Sequence, residues 1–317
     1  MAMTNFNKRL ITSFCLVAAI TAIFLFRAFL VDFGIYLFDA AVLVAAAIAT
    51  WEICNAKQLN RRGANTYIVW IIYALIYFFY IIGKVILTPP LPWWLQLVVS
   101  LIIIGIFCLF IGLSNMMDKK MAKECSLQKK NFNREAWGGV LDLLQMIVYP
   151  GVLFACAVIL NHMTEHHIGM LGLLLVACTS CLSDTLAYCV GLVLGRGTAK
   201  MAPKTSPNKT WVGFIGGIFG GILGALIVVW IISADSVASE YLIEKFGDAV
   251  MVQLSFAVIG LISAFATAMG DLYASHIKRK AEIKDFSQIL PGHGGVLDRF
   301  DGIIFNLPFI LLIMGII

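Results

Sequence analysis

AVMVQLSFAVIGLISAFATAMG, residues 249–270, runs into DLYASHIKRKAEIKDFSQILPGHGGVLDRFD, residues 271–301, and then into GIIFNLPFILLIMGII, residues 302–317. The outer two pieces are apolar. The stretch from Ser275 to Asp301 carries three Asp, one Glu, three Lys, two Arg and two His, together with a Pro291-Gly292-His293-Gly294-Gly295 turn. As a helix, about 20 apolar residues cross the hydrocarbon core of a bilayer. Charge held between two such pieces therefore lies at a membrane boundary, where it calls for a polar ligand or an ion.

The rest of the chain agrees with that reading. Mean hydropathy is +0.92 and only 13% of the 317 residues are charged, which excludes an ordinary soluble domain. Nine apolar stretches are predicted as spans, at 10–31, 34–55, 67–88, 95–113, 136–160, 168–195, 211–233, 249–270 and 302–317. The expected fold is an all-α polytopic helical bundle with a cytoplasmic N-terminus and a retained first span. One integral membrane unit is expected, in which residues 1–135 supply spans one to four and a basic loop, and residues 136–317 carry the chemistry. With nine spans, 20 of the 23 basic residues fall on one side, all but Arg27, Lys84 and Lys245. That asymmetry marks the cytoplasmic face of a cell membrane and puts loops 196–210 and 271–301 on it. The net charge of +5 suits anionic lipid headgroups and calls for no nucleic acid.

Scattered polar residues read more plainly. Cys178 and Cys181 lie mid-span without a second pair and read as packing residues. Arg27 and Glu52 lie near span ends, where reaching the interface is easy, while Asp39 sits deeper with no role named nearby. His162, Glu165, His166 and His167 form a short outer loop and read as solvated.

Two constellations carry chemistry. In the first, Asp184, Tyr188, Gly191 and Gly195 form one helical stripe, because offsets of four, seven and eleven share a face. The helix leaves the membrane at Arg196 and leads to Ser206-Pro207-Asn208-Lys209-Thr210. Its cations obey the inside rule and equally suit a polyphosphate. Six glycines from Gly213 to Gly224 then mark close helix packing. In the second, Asp271, Ser275, Lys278 and Arg279 share the face of a helix leaving the membrane. The glycine turn around His293 lets backbone approach a ligand, and Asp298 and Asp301 share a face if a helix restarts there. Asp271, Asp298 and Asp301 are hard oxygen donors of the kind Mg²⁺ takes beside phosphate oxygens.

Ser275-x-Ile277-Lys278-Arg279, Lys284-Asp285, His293-Gly294-Gly295 and Asp298-Arg299-x-Asp301 resemble the signature of the phosphatidate cytidylyltransferases, in residue type and in spacing. Gly195-Arg196 followed by Ser206-Pro207-x-Lys209-Thr210 is similar to that family's second motif, with Val212-Gly213 where the family usually shows Glu-Gly. The resemblance covers roughly residues 184–302 in its specific motifs. It implies transfer of a cytidylyl group from CTP to phosphatidic acid, giving CDP-diacylglycerol and pyrophosphate. It also implies Mg²⁺, a second ion such as K⁺, surrounding membrane lipids and a homodimer. On that reading Asp271 and Asp298 bind metal, with Asp301 a third candidate. Lys209, Lys278, Arg279, Lys284 and Arg299 hold phosphates; Ser206, Asn208 and Thr210 hydrogen-bond the nucleotide or phosphate; Asp184 and Tyr188 line the cavity. Arg196, Ser275, Asp285, His293, Gly294 and Gly295 complete the substrate-contacting set, the role of His293 being open. The rivals are a secondary transporter, which predicts internal repeats that are not seen, and a related nucleotide-dependent lipid phosphotransferase.

Overall fold

The computed structural model describes residues 5–57, 66–86, 93–117, 132–163, 168–234 and 236–316. Its helices are α1 (Asn5–Phe29), α2 (Val31–Ala56), α3 (Thr66–Ile81), α4 (Trp93–Met117), α5 (Phe132–Met146) and α6 (Leu153–Asn161). Then come α7 (Ile168–Leu194), the strands β1 (Lys200–Ala202) and β2 (Ser206–Thr210), α8 (Trp211–Ile232), α9 (Ser236–Phe246), α10 (Ala249–Lys280) and α11 (Leu297–Ile316). The chain is an all-α polytopic membrane protein. Among the described residues seven helical segments are long and apolar enough to cross a membrane, and two shorter apolar segments, Phe14–Phe29 and Val98–Ser114, coincide with the first and fourth expected spans. A helix meets every backbone hydrogen bond internally, which is what lipid demands of a spanning segment. Large side chains such as Trp230, 78% exposed, and Phe29, 80% exposed, are what a lipid-facing surface carries.

The helices pack as two units. One comprises Ala45–Val152. Its centre is Tyr73, whose hydroxyl donates to the Met146 carbonyl at 2.7 Å and lies 3.1 Å from Thr50 Oγ1, among buried Ile53, Ile72, Leu143 and Met146. Glu52 is fully buried there and does not reach outward.

The other unit comprises Met1–Val44 and Leu153–Ile317. The glycines of α8 let it press against α7 and α10: a Cβ on Gly221 would stand 2.7 Å from Ala264 Cβ, and one on Gly217 3.2 Å from Ser183 Oγ. Glycine is thus the packing residue that its spacing predicts. Helix α10 has 32 residues, about 48 Å at 1.5 Å each, so it outruns a ~30 Å hydrocarbon core and carries Lys278, Arg279 and Lys280 beyond it. Helix α11 begins at Leu297, five residues before the expected span, and so takes in Asp298 and Asp301.

This unit also corrects two expectations. Arg27 turns inward to a buried partner and His162 is not solvated. Arg27 Nε donates to Asn161 Oδ1 at 2.6 Å and a terminal guanidinium nitrogen donates to the Asn161 carbonyl at 3.0 Å. Asn161 Nδ2 donates to Asp39 Oδ1 at 2.8 Å, and His162 Nε2 lies 2.7 Å from Asp39 Oδ2. All four are buried. Each partner lies more than 120 residues away in sequence, so only the folded chain reveals the pairing. Glu165, His166 and His167 lie outside the described residues.

Candidate functional site

The site forms between the C-terminal half of α7, the part of α10 that leads out of the membrane and the start of α11. After α7, residues predicted as a plain loop form an antiparallel hairpin, with Lys200 opposite Thr210 and Ala202 opposite Ser206. Strands of three and five residues are too short for an alternating pattern to show in the sequence. Thr210 closes the hairpin and caps α8, its hydroxyl accepting from Gly213 N–H at 3.1 Å. That is an N-cap role, which satisfies an otherwise orphaned amide.

Two contacts tie the hairpin to α10. Lys209 Nζ lies 2.6 Å from Asp271 Oδ2, and Arg279 Nε donates to the Thr205 carbonyl at 3.2 Å. Ser275 Oγ lies 3.5 Å from Asp271 Oδ1, at the limit of a hydrogen bond. Gly270 permits the approach of α11, because a Cβ there would lie 3.1 Å from Gly302 Cα and 2.7 Å from Phe305 Cβ. Asp271 and Asp301 are therefore drawn together, and Asp184 joins them from α7. Asp301 interacts electrostatically with both Asp271 and Asp184, and a Cβ on Gly302 would stand 3.7 Å from Asp184 Oδ2. Asp301 is buried, with Oδ1 accepting from Gly302 N–H at 2.8 Å. Three carboxylates at a helix junction, met by Lys209 and Lys278, form the electrostatic centre of the site.

Asp298 is differently engaged. Its Oδ1 accepts from Lys278 Nζ at 2.7 Å, and its Oδ2 accepts from the backbone N–H groups of Phe286 and Gly295, each at 2.9 Å. Its side chain is 3% exposed. Lys278 Nζ also lies 5.5 Å from the centre of the Phe286 ring. One carboxylate thus pins α10, the loop and the start of α11 with charge-assisted bonds, each contributing about 1.5–3 kcal/mol. Gly294 is required for this: its φ is +84°, and a Cβ would stand 3.0 Å from Asp298 Oδ2. Around it Leu290 N–H donates to the Gly294 carbonyl at 3.0 Å, His293 N–H to the Leu290 carbonyl at 2.9 Å, and Arg299 Nε to the His293 carbonyl at 2.9 Å. Thr12 of α1 reaches the same loop, its hydroxyl donating to the Pro291 carbonyl at 3.1 Å.

The remaining predicted residues separate by exposure. Arg196, Asn208, Lys284, Asp285 and Arg299 are exposed and free to meet a soluble ligand, and Ser206 and His293 are half-buried. Tyr188 is exposed on α7 at 69%. Sequence reasoning misses Phe286, which contributes a backbone N–H and a ring face, and the Thr205 carbonyl. Neither backbone group leaves a mark in the sequence.

Among the described residues no three His, Cys, Asp or Glu side chains enclose an ion by themselves. The oxygen-only donor set of Asp184, Asp271 and Asp301 nevertheless fits Mg²⁺, whose shell is ordinarily completed by substrate phosphates and water.

A sequence model described as the cytidylyltransferase family matches residues 7–317. A phosphatidate cytidylyltransferase of Rickettsia bellii is 41% identical over 133 residues, covering 42% of this chain and 53% of that protein. One of Haemophilus influenzae is 31% identical over 219 residues, covering 62% of this chain and 71% of that protein. One of Brucella abortus is 38% identical over 122 residues, covering 38% of each. Apart from the Haemophilus protein, the chain spans about half or less of the length of these curated relatives.

Proposed function

We propose, from the premise that this chain belongs to the cytidylyltransferase family, that it transfers a cytidylyl group from CTP to phosphatidic acid, giving CDP-diacylglycerol and pyrophosphate. The observation that carries the reading is the meeting of Asp184, Asp271 and Asp301 with Lys209 and Lys278 beside a glycine turn, at the end of membrane-crossing helices. An anionic, metal-assisted site at that level suits a substrate whose headgroup is a phosphate and whose chains stay in lipid. The excess of basic residues on this side supports a cytosolic location, where CTP is available.

The chemistry asks little of the protein as an acid or base. A phosphate monoester has a second pKa of about 6, so its oxygen is already anionic near neutrality. That oxygen forms a bond to the α-phosphorus of CTP while the bond from that phosphorus to the bridging oxygen breaks. The electron pair leaves with pyrophosphate, and no proton need move. What remains is alignment and charge neutralisation, which dominate phosphoryl-type transfer. Lys209 and Lys278 already pair with carboxylates of the site, and Arg279, Lys284, Arg299 and Arg196 are exposed on the segments that adjoin it in the chain. Asp271 and Asp301, with Asp184, would hold Mg²⁺, which supplies positive charge to the phosphate oxygens when bound. Asp298 orients Lys278 and the glycine turn toward the same space.

Purified protein given CTP, Mg²⁺ and phosphatidic acid should release pyrophosphate and CDP-lipid in equal amounts. Pyrophosphate without CDP-lipid, or solute flux in sealed vesicles without any lipid product, would contradict the assignment.

A further inference from the structure

One helical turn below the carboxylates lies a second polar layer. Ser180 on α7 precedes Asp184 by four residues, Thr267 on α10 precedes Asp271 by four, and Asn306 on α11 follows Asp301 by five. All three are fully buried. Asn306 Nδ2 donates to Thr179 Oγ1 at 3.0 Å and to Ser180 Oγ at 3.1 Å, and Ser180 Oγ lies 3.0 Å from Thr267 Oγ1. The Thr179 hydroxyl is itself donated to the Leu175 carbonyl at 2.6 Å, so Thr179 can only accept from Asn306. The direction of the amide is therefore fixed by the hydrogen-bond chain. Both amide hydrogens cross from α11 to α7, and Asn306 Oδ1 is left with no donor among the described residues.

An orphaned acceptor in a fully buried position is a poor choice for stability alone, and it calls for a reason. Its place supplies one. The site needs three carboxyl groups from three helices to face one point, groups that gain nothing from contact among themselves and must be held by other bonds. A directional link one turn beneath supplies that hold, because a hydrogen bond specifies an orientation that non-directional apolar burial does not. We propose that Asn306 is a positioning residue: by donating across to α7 it sets the depth and rotation at which α11 presents Asp301 to Asp184 and Asp271. The proposal rests on the reading of that cluster as the cation-binding part of the site.

Mn²⁺ binding by the purified full-length protein, followed from the loss of the free-ion resonance signal and read beside the melting temperature, tests it. Asn306→Leu keeps the volume and removes the amide; the folded variant should bind Mn²⁺ about tenfold or more weakly, the scale of losses seen when groups behind metal ligands are removed. Ser180→Ala, a smaller change that deletes one acceptor of the same link, should shift binding in the same direction and keeps the test open if Asn306→Leu does not fold. A merely structural role would lower the melting temperature and leave Mn²⁺ binding by the folded fraction unchanged; that result in either variant overturns the proposal. Absence of Mn²⁺ binding in the parent protein, with and without CTP, overturns the cation-site reading itself and the proposal with it.

Discussion

Two clusters of charged side chains, both among the described residues of the unit built from Met1–Val44 and Leu153–Ile317, follow opposite rules. The first joins Arg27, Asp39, Asn161 and His162. Cation faces anion, the amide between them uses donor and acceptor alike, and Asp39 is fully buried. The second gathers the carboxyl groups of Asp184, Asp271 and Asp301, like beside like, with Asp184 exposed and Asp271 and Lys209 partly open to solvent. The two are well separated along α7: Asn161 precedes its start, and Asp184 lies 16 residues past Ile168, about 24 Å along the axis. Helix α1 reaches both regions, through Arg27 at the first and through Thr12 at the glycine turn beside the second. A polar cluster that neutralises itself is complete without a ligand. One that concentrates a single sign of charge at an open edge has use for a cation and for phosphate to bring with it.

Substitutions can break this contrast at either end. Among the residues around the carboxylate cluster, the largest effect is expected at Lys278, which serves both Asp298 and the phosphate-binding space. Lys278→Met should lower kcat/KM by about 100-fold or more, ~2.7 kcal/mol at the least, and should leave the 281–296 loop more open to protease. Asp298→Asn comes next. It weakens the grip on Lys278 and the two amides, so turnover should fall by about 10–100-fold while the Mg²⁺ concentration for half-activity stays put. A marked shift in that concentration would make Asp298 a metal ligand and return it to the role that its spacing suggests. At the far end the contrast reverses. Arg27→Met should lower stability by about 3–5 kcal/mol, as when one partner of a buried charge pair is removed. Its turnover per folded molecule should change by no more than about twofold, since sites this far apart act almost independently. Chemical or thermal unfolding in detergent, read beside the activity assay, separates the two effects.

The sequence reports most of the contrast but not its internal wiring. Span positions are legible because lipid enforces apolar runs of a set length, and the glycines of α8 are legible because their spacing has one dominant meaning in a membrane. The residues of the site are legible as a charged block around Asp271, Lys278 and Asp298. Which carboxylate does what is not. Asp184 joins Asp271 and Asp301 only because Gly270 lets α11 close on α10, a contact that spacing along one helix cannot reveal. Asp298 turns inward onto the amides of Phe286 and Gly295, and backbone donors have no letter in a sequence. The hairpin at Lys200–Thr210 is hidden by its short strands. Arg27 and His162 mislead for the same reason as Asp184: their partner residues are remote in the chain.

The most direct measurement compares Asp271→Asn with the parent protein for CDP-diacylglycerol formed from CTP and phosphatidic acid across a range of Mg²⁺ concentrations. Both proteins should be monodisperse and of similar melting temperature. The parent should form product, and the variant should lose it by about 1,000-fold, the upper end of the losses seen when one group that stabilises transition-state charge is removed. Unchanged turnover and Mg²⁺ dependence in the folded variant would contradict the claim that this carboxylate cluster is the catalytic centre.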